Sequence, residues 1–373
     1  LSAGRFLFGL ALLFPATFLM GGTFPVLVRF VVRGRSGLAR RGTLLYAANT
    51  LGAATGALVA AFVLLPRFGV GRSYAAAVAT AFGVGAVAMA VGRRSVAVRQ
   101  PVTPMGGGAG GEQRALGGAP GPSEGLPHRA LIGLAAASGG LTLAAETLWT
   151  RMFAQVLQNS SYSFAAVLVV FLLGLALGGG LAHMLSRAGA PRPLRVLVVL
   201  LGASAGAVSL APWALYVATD GLQYVAPGAS WPGYIGAVFL VSAGVMLPAA
   251  LLMGTIFPYL LRVLPESTRQ GGEEVGRLVF YNAVGAAVGP LVVGFFLLDA
   301  VGLWGGVKAV AVSYGLLGWL VYRLSEGRRP VHRQALGGLI LLALAGAPEP
   351  PSVRLDQGET LRGVWEGSDG VVS

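Results

Sequence analysis

The sequence contains no cysteine, which excludes disulfide bonds, thiol catalysis and cysteine-bound metal sites. Its three histidines, His128, His183 and His332, lie far apart in the chain, so a histidine metal cluster is not expected. Charged residues make up only 11% of the chain, against about 25% in a typical soluble domain. No spacing of serine, histidine and carboxylate residues indicates a catalytic site. We therefore predict no catalytic residues and no metal ligands.

Apolar residues are abundant: they form 55% of the chain, and the mean hydropathy is +0.73. Hydrocarbon offers the backbone no hydrogen-bond partners, so a chain that crosses a bilayer must form helices of about 20 residues. The sequence therefore predicts an all-α polytopic membrane protein whose main partner is the lipid bilayer. Nine apolar segments approach or exceed the required length, namely 6–32, 43–65, 70–92, 130–149, 161–185, 194–218, 234–261, 277–299 and 303–323.

The formal net charge of +13 comes almost entirely from arginine. A basic balance is compatible with nucleic-acid binding, but these arginines are concentrated in alternate loops. With the loop after segment 6–32 placed in the cytoplasm, the opposite loops hold only Arg67, Arg72 and Arg151. This asymmetry follows the positive-inside rule of membrane proteins. The charge therefore indicates topology, and no nucleic-acid partner is predicted.

The chain repeats a phrase after 233 residues. The stretches "PATFLMGGTFPVLVRF" at Pro15–Phe30 and "PAALLMGTIFPYLLRV" at Pro248–Val263 place Pro, Met-Gly, Phe-Pro and Arg at the same spacing. The match continues without a gap beyond the phrase. Proline inside a span usually kinks the helix. We therefore predict a kinked helix at Pro25 and another at Pro258, each followed by a cytoplasmic arginine.

The repeat also predicts the architecture. Six spans separate the matched segments, so both copies face the same way, as in the parallel six-helix halves of the major facilitator superfamily. Residues 129–325 would form the complete second half, and residues 1–92 the last three helices of the first. About three further helices resembling 130–233 are expected before Leu1. The Gly/Pro-rich segment 93–128 is predicted to be a cytoplasmic linker.

Glu146 is the one acidic residue inside a predicted span, in "LTLAAETLWTRMFAQVLQNSSYSF". A carboxylate in the membrane is a functional-site hypothesis by default: it could bind a cation, such as a polyamine ammonium group, or carry a proton. The alternative is an ion pair with Arg151 near the interface. Further candidate solute- or ion-binding residues lie near Glu146 or recur in the repeat, namely Trp149, Arg151, Asn159, Tyr162, Asn49 and Asn282.

Asn49 and Asn282 occupy matching positions, and each begins a face of small residues. These faces, Gly52–Gly56 and Gly285–Gly289, have the GxxxG spacing that lets membrane helices approach closely. One interpretation is helix packing with interhelical hydrogen bonds. The other is that the two amides line a central path.

The stretch "SGGLTLAAETLWTRMFAQVLQNSSYSFAAVLVVFLLGLALGGGLA" resembles the membrane domain of bacterial membrane-fused spermidine synthase-like proteins. The stretches "LMGGTFPVLVR" and "LYAANTLGAATGALVAAFVLLPRFGV" are similar to other recurring segments of that family. The resemblance implies a multi-pass protein of the bacterial inner membrane. It also implies a soluble aminopropyltransferase domain that uses decarboxylated S-adenosylmethionine as co-substrate. "GETLRGVWEGSDGVVS" at Gly358–Ser373 is similar to the opening β-hairpin of that domain, which would begin near 351–373.

The nucleotide-binding and diamine-binding residues of such a domain are not present, so no cofactor site is carried over to this chain. The segment 326–350 contains a short apolar stretch, 335–347, which is either a tilted span or an interfacial helix. A span would place the following domain outside the cytoplasm, and an interfacial helix would keep it inside. The expected function is to anchor the synthase-like domain and to supply or export its polyamine. Two alternatives are a secondary transporter of a small cationic solute and a membrane scaffold that transports nothing.

Overall fold

The structure is a computed structural model. It describes isolated positions between 4 and 27 and the ranges 38–97, 126–188, 192–264, 272–325, 365–367 and 370–372. Pro25, most of the predicted linker and the segment 326–350 lie outside the described residues. The chain divides into two compact units, Leu58–Glu124 and the remainder, Leu1–Ala57 with Gly125–Ser373.

The described residues are almost entirely helical. The α-helices in chain order are α1 (Leu38–Val59), α2 (Leu65–Ala97), α3 (His128–Ala154), α4 (Ser161–Arg187), α5 (Pro193–Ala218), α6 (Trp231–Val263), α7 (Gly272–Val292) and α8 (Leu298–Ser325). Two five-residue π-helices, π1 (Ala60–Leu64) and π2 (Val293–Leu297), continue α1 and α7. Two short strands, β1 (Trp365–Gly367) and β2 (Gly370–Val372), pair antiparallel where the sequence resemblance implies a hairpin.

Six helical segments within the described ranges are long and apolar enough to cross a membrane, so the chain is a helical, multi-pass membrane protein. Two of them, Leu44–Arg93 and Glu274–Ser325, have 50 and 52 residues. A straight helix of that length would measure about 75 Å, more than twice the hydrocarbon thickness. Each long helix is broken at one glycine, Gly69 (φ 70°) or Gly302 (φ 67°). Glycine adopts positive φ without steric cost, and each break falls between two predicted apolar segments.

The two long helices share their backbone irregularities as well as their sequence. The π-helix π1 precedes Gly69 just as π2 precedes Gly302, and 233 residues separate the members of each pair. Pro290 removes one backbone donor shortly before π2, but Ala57 occupies the matching position before π1. The π-helix therefore forms in both copies, with or without the proline.

Helix packing in the second half relies on small residues. The principal neighbours are α3 with α7, α4 with α6, and α5 with both α6 and α8. A Cβ atom built on Gly178 of α4 would lie 2.7 Å from the backbone of Gly254 in α6. The Thr255 hydroxyl in α6 shares its one proton between the Leu251 carbonyl of its own helix (2.7 Å) and the Gly178 carbonyl of α4 (3.1 Å). Close backbone approach with an interhelical hydrogen bond is typical of helix association in membranes.

The repeated phrase around Pro258 lies in α6, whose backbone stays helical through Pro248 and Pro258. Arg262, near the end of α6, donates hydrogen bonds from Nη1 to the carbonyls of Leu185 (2.8 Å) and Ser186 (2.9 Å). Carbonyl groups in the last turn of a helix lack intrahelical partners. Arg262, the arginine of the repeated phrase, therefore provides hydrogen-bond donors for two carbonyl groups at the end of α4 and joins α4 to α6.

Candidate functional site: a polar row on α3

Four polar residues follow one another on α3 at intervals of four residues: Ser138, Thr142, Glu146 and Thr150. Residues four apart lie one turn apart on nearly the same side of a helix, so these four form a single row, which we name the polar row. Ser138 and Thr142 are buried, and Glu146 and Thr150 are half-buried. The row leads from the interior of the bundle towards the C-terminal end of α3.

Hydrogen bonds fix the inner end of the polar row. The Thr142 hydroxyl donates to the Ser138 carbonyl at 2.7 Å, and it also lies 3.1 Å from the hydroxyl of Tyr314 in α8. Because the single hydroxyl proton of Thr142 is already used, Tyr314 is the donor in the second bond. Tyr314 is fully buried, so this bond joins α3 to α8 in the core.

Glu146 is the acidic member of the polar row. The described ion pairs are formed by Glu274, with His128 and with Arg277, and Glu146 takes part in neither. Arg151 follows Glu146 by five residues and therefore lies about 140° away around the helix. The alternative prediction, an ion pair between Glu146 and Arg151, stays a prediction.

Trp149 lies three residues after Glu146 and is fully buried. Its ring meets Phe171 of α4 edge to face, with 6.3 Å between the centroids. The indole Nε1 finds no acceptor among the described residues. A buried N–H group without an acceptor is costly and calls for an explanation.

The turn between α3 and α4, residues 155–160, is fixed by a tyrosine of α6. The Tyr234 hydroxyl accepts a hydrogen bond from the Gln158 amide at 2.9 Å and lies 2.9 Å from the Ser163 hydroxyl. Ser163 in turn lies 2.9 Å from the Ser160 hydroxyl. A connected set of hydroxyl groups therefore holds the turn against α6.

Two cavities flank this turn, and Gln158 and Asn159 line both of them. The smaller one reaches Thr150, the last residue of the polar row, so the row ends at a cavity wall. The larger one is an open cleft of about 590 Å³ that extends to Tyr224 and Gly228. That volume is within the range of small-molecule sites. None of the described residues that line either cavity is charged, whereas several carry hydroxyl or amide groups.

The loop between α5 and α6 borders the cleft in a strained conformation. Asp220, Leu222 and Ala226 adopt φ angles of 48°, 67° and 48°. Positive φ costs a residue other than glycine about 1–3 kcal/mol and is found most often at functional sites. The Val225 amide donates a hydrogen bond of 2.9 Å to the Val156 carbonyl, which joins this loop to the α3–α4 turn.

The other sequence-predicted residues lie at different distances from the polar row. Asn159 is exposed in the α3–α4 turn and contributes to both cavities. Tyr162 is half-buried, and its ring stands edge-on to Trp231 at 5.6 Å. Arg151 is half-buried on another side of α3. Of the predicted set, Glu146 and Trp149 thus lie in the last third of α3, and Asn159 lies in the turn that follows.

The two repeated asparagines are not brought together with Glu146. Asn282 of α7 is half-buried at the helix crossing, where a Cβ atom on Gly139 would lie 3.0 Å from its Oδ1 atom. Gly139 precedes Glu146 by two helical turns. Asn49 of α1 is exposed. Asn282 is therefore a packing residue at this crossing, and Asn49 has a different environment.

The sequence interpretation missed several residues of the site. Thr142 and Thr150 could have been found, because polar residues at every fourth position of an apolar helix form a visible pattern. Tyr314 and Tyr234 could not, because they meet their partners across 172 and 76 residues and nothing local marks them.

Comparison with known proteins finds no matching family, no similar curated protein and no similar solved structure. The function is therefore inferred from the geometry of the chain itself and from its sequence patterns.

Proposed function

We propose that the chain is the membrane module of a polyamine-handling protein and that it binds a small cationic amine at Glu146. The observation that carries this proposal is the polar row, in which Glu146 lies one turn before Thr150, a lining residue of a cavity that also contains hydroxyl and amide groups. The module would anchor a synthase-like domain and supply or export its amine.

The chemistry around Glu146 favours a cation over an anion or a neutral solute. A carboxylate within a membrane span is expensive and is retained for binding or proton transfer. The hydroxyl and amide groups of Thr150, Gln158 and Asn159 would accept hydrogen bonds from an ammonium group that enters through the cavity.

The proposed architecture is two parallel repeats of the major-facilitator type in a bacterial inner membrane. Its support is the recurrence of a π-helix and a non-helical glycine at the same offset as the sequence repeat. The arginine distribution supports a cytoplasmic position for the loop 93–128. The synthase-like domain and its co-substrate, decarboxylated S-adenosylmethionine, belong to the proposal through the sequence resemblance. This chain is assigned no catalytic step.

A second candidate function, secondary transport of a small cationic solute, is favoured by one observation. The two cavities share Ala154, Leu157, Gln158 and Asn159 in their linings, and the smaller one reaches the polar row at Thr150. A pure anchor would need no cavities beside a polar row. Binding and flux must therefore be measured separately.

The first experiment measures binding of radiolabelled putrescine and spermidine to the purified chain in lipid nanodiscs. We expect Glu146→Gln to weaken binding about tenfold or more, because it removes the charge that offsets desolvation of the ammonium group. Glu146→Asp should retain most of the affinity. Glu274→Gln is the matched control, since it makes the same chemical change at a pair distant from the polar row. Equal binding by wild type and Glu146→Gln would refute the amine site.

The second experiment separates the two candidate functions. Vesicles that contain the purified chain are loaded with unlabelled amine and assayed for uptake of the labelled amine. Exchange that is lost in Glu146→Gln and kept in Glu274→Gln would support a transporter. Binding without exchange would support a module that holds amine for an attached enzyme.

A further inference from the structure

The repeat places the same small-residue face in two different environments. On α7 the face comprises Asn282, Gly285, Ala286 and Gly289, and all four are partly buried. The matching residues of α1 are all exposed, and we name them the Gly52 face: Asn49, Gly52, Ala53 and Gly56.

The copy on α7 is covered by α3 at backbone distance. A Cβ atom on Gly285 would collide with the Ala136 carbonyl, and one on Gly289 would collide with the Gly140 carbonyl. From the other side, a Cβ on Gly140 would lie 3.2 Å from the Gly285 carbonyl. The helix that covers this face is therefore α3, whose small residues Ala136, Gly139 and Gly140 lie against it.

The two helices of this pair run parallel. His128 at the start of α3 lies 3.4 Å from Glu274 at the start of α7, and the crossing at Gly139 and Gly285 is about two to three turns further along both. The α3–α7 pair therefore shows that this face accepts a helix that carries small residues and runs in the same direction.

The opposite side of α1 is already packed. Tyr46 lies 6.4 Å from Phe257 of α6 between ring centroids, and a Cβ on Gly179 of α4 would lie 3.1 Å from the Ala47 side chain. Thr50 and Ala54, on the same side, are buried. This contact holds α1 in place and directs the Gly52 face away from α4 and α6.

The Gly52 face is poorly suited to contact with lipid alone. Gly52 and Gly56 have no atom within 4 Å of an added Cβ among the described residues, so their backbone is uncovered. Asn49 exposes an amide within the apolar span Leu44–Arg93. A polar side chain in hydrocarbon is costly unless another helix provides hydrogen-bonding groups. The Asn49 amide therefore also indicates a partner helix, and this argument does not depend on the glycine spacing.

We propose that the Gly52 face binds a transmembrane helix of the α3 type. Such a helix carries small residues at the spacing of Ala136, Gly139 and Gly140 and runs parallel to α1. It is distinct from α3 itself, because α3 is already held by α7. The contact would reproduce on α1 the crossing that the second copy makes on α7, with Asn49 in the place of Asn282.

The test uses the full chain in phosphatidylcholine vesicles. The sequence contains no cysteine, so a single introduced cysteine carries a thiol-directed benzophenone at one known position. Ala53→Cys places the probe on the Gly52 face, and Leu51→Cys places it on another exposed position, about 160° from Ala53 around α1. The partner probe is a biotinylated synthetic peptide with the sequence of residues 126–157, which is stable as a single helix in a bilayer because its backbone bonds are internal.

We expect irradiation to give about tenfold more peptide adduct from Ala53→Cys than from Leu51→Cys. The adduct should disappear when the peptide carries Gly139→Ile with Gly140→Ile, or when the chain carries Gly52→Ile with Gly56→Ile. Gel filtration of that chain variant should be unchanged, which shows that it is still folded.

Four results would overturn the proposal. Equal adduct from the two cysteine positions, or adduct that survives the isoleucine peptide, would show that the small residues do not select the partner. Adducts between two copies of the chain would assign the face to self-association. Adducts with lipid alone would assign it to the bilayer.

Discussion

Residues 38–97 and residues 272–325 follow the same sequence pattern, and each contains a π-helix followed by a non-helical glycine. Their exposed surfaces nevertheless differ. In α1 the buried positions include Thr50 and Ala54, whereas the matching positions of α7, Ala283 and Ala287, are exposed. A further difference lies one residue after Tyr46, where Ala47 is half-buried and its match, Phe280, is 61% exposed.

The comparison separates two causes of structure. The backbone irregularities recur because they depend on residues within each segment. Burial does not recur, because it depends on which helices lie alongside: α4 and α6 beside α1, and α3 beside α7. Substitutions at matching positions should therefore change stability equally where they act on the local backbone. They should change stability unequally where they act on contacts with neighbouring helices.

The largest difference in stability change is expected between substitutions in the two glycine faces. Gly285→Leu with Gly289→Leu should destabilise the chain by about 4 kcal/mol, because both side chains would enter the backbone of α3. Gly52→Leu with Gly56→Leu should change stability by less than about 0.5 kcal/mol, because no described residue covers that face. Unfolding in mixed micelles, followed by tryptophan fluorescence, measures both.

A single Gly289→Ala variant keeps this prediction testable if the double variant does not fold. Its Cβ atom alone meets the Gly140 carbonyl, so it should still be less stable than Gly56→Ala. Equal stability of the two alanine variants would mean that burial at the α3–α7 crossing does not distinguish the copies.

Proline gives the next largest effect. Ala57→Pro places in α1 the residue that α7 has at Pro290, before a π-helix of the same position and length. It should cost about 1 kcal/mol, whereas Ala53→Pro, one turn earlier in the same helix, should cost about 3 kcal/mol as in an ordinary helix interior. The same unfolding assay compares them, and equal losses would show that the π-helix of α1 does not accommodate proline.

The helical spans were predictable because long apolar runs in a chain of low charge have one stable form in a membrane. Their ends were less so: α1 begins at Leu38 and α7 at Gly272, before the predicted starts at 43 and 277. Hydropathy marks the part of a helix that lies in hydrocarbon, whereas hydrogen bonding continues into the polar residues beyond it. The π-helices had no sequence signal of their own, since only one copy has a proline.

The candidate site was predictable in part for a similar reason. Glu146 stands out because a lone carboxylate in an apolar helix is conspicuous. The hydroxyl groups of Thr142 and Thr150 share its four-residue spacing and could have been read with it. Tyr234 and Tyr314 reach the site from other helices, and a single sequence does not show which helices become neighbours.

Equal effects are expected at the two helix breaks. Gly69→Ala and Gly302→Ala should each cost about 2 kcal/mol, because both residues have positive φ near an extended ψ, a region open almost only to glycine. The controls are Gly83→Ala and Gly276→Ala, at helical glycines with open space around an added Cβ. These should be neutral or stabilising by up to about 1 kcal/mol. A large loss at one break and none at the other would contradict a shared backbone.

The smallest expected effect concerns a bond that only one copy makes. Tyr314 of α8 donates to Thr142, whereas the matching residue of α2 is Ala81, which has no hydroxyl group. A double-mutant cycle of Thr142→Val and Tyr314→Phe should give a coupling of about 0.6 kcal/mol, the usual size for a hydrogen bond between membrane helices. Thr147→Val is the matched control, because the Thr147 hydroxyl donates to the Leu143 carbonyl within α3. Its cycle with Tyr314→Phe should show no coupling. Coupling in both cycles would point to a general loosening of α3, and coupling in neither would mean that packing alone holds α8 against the polar row.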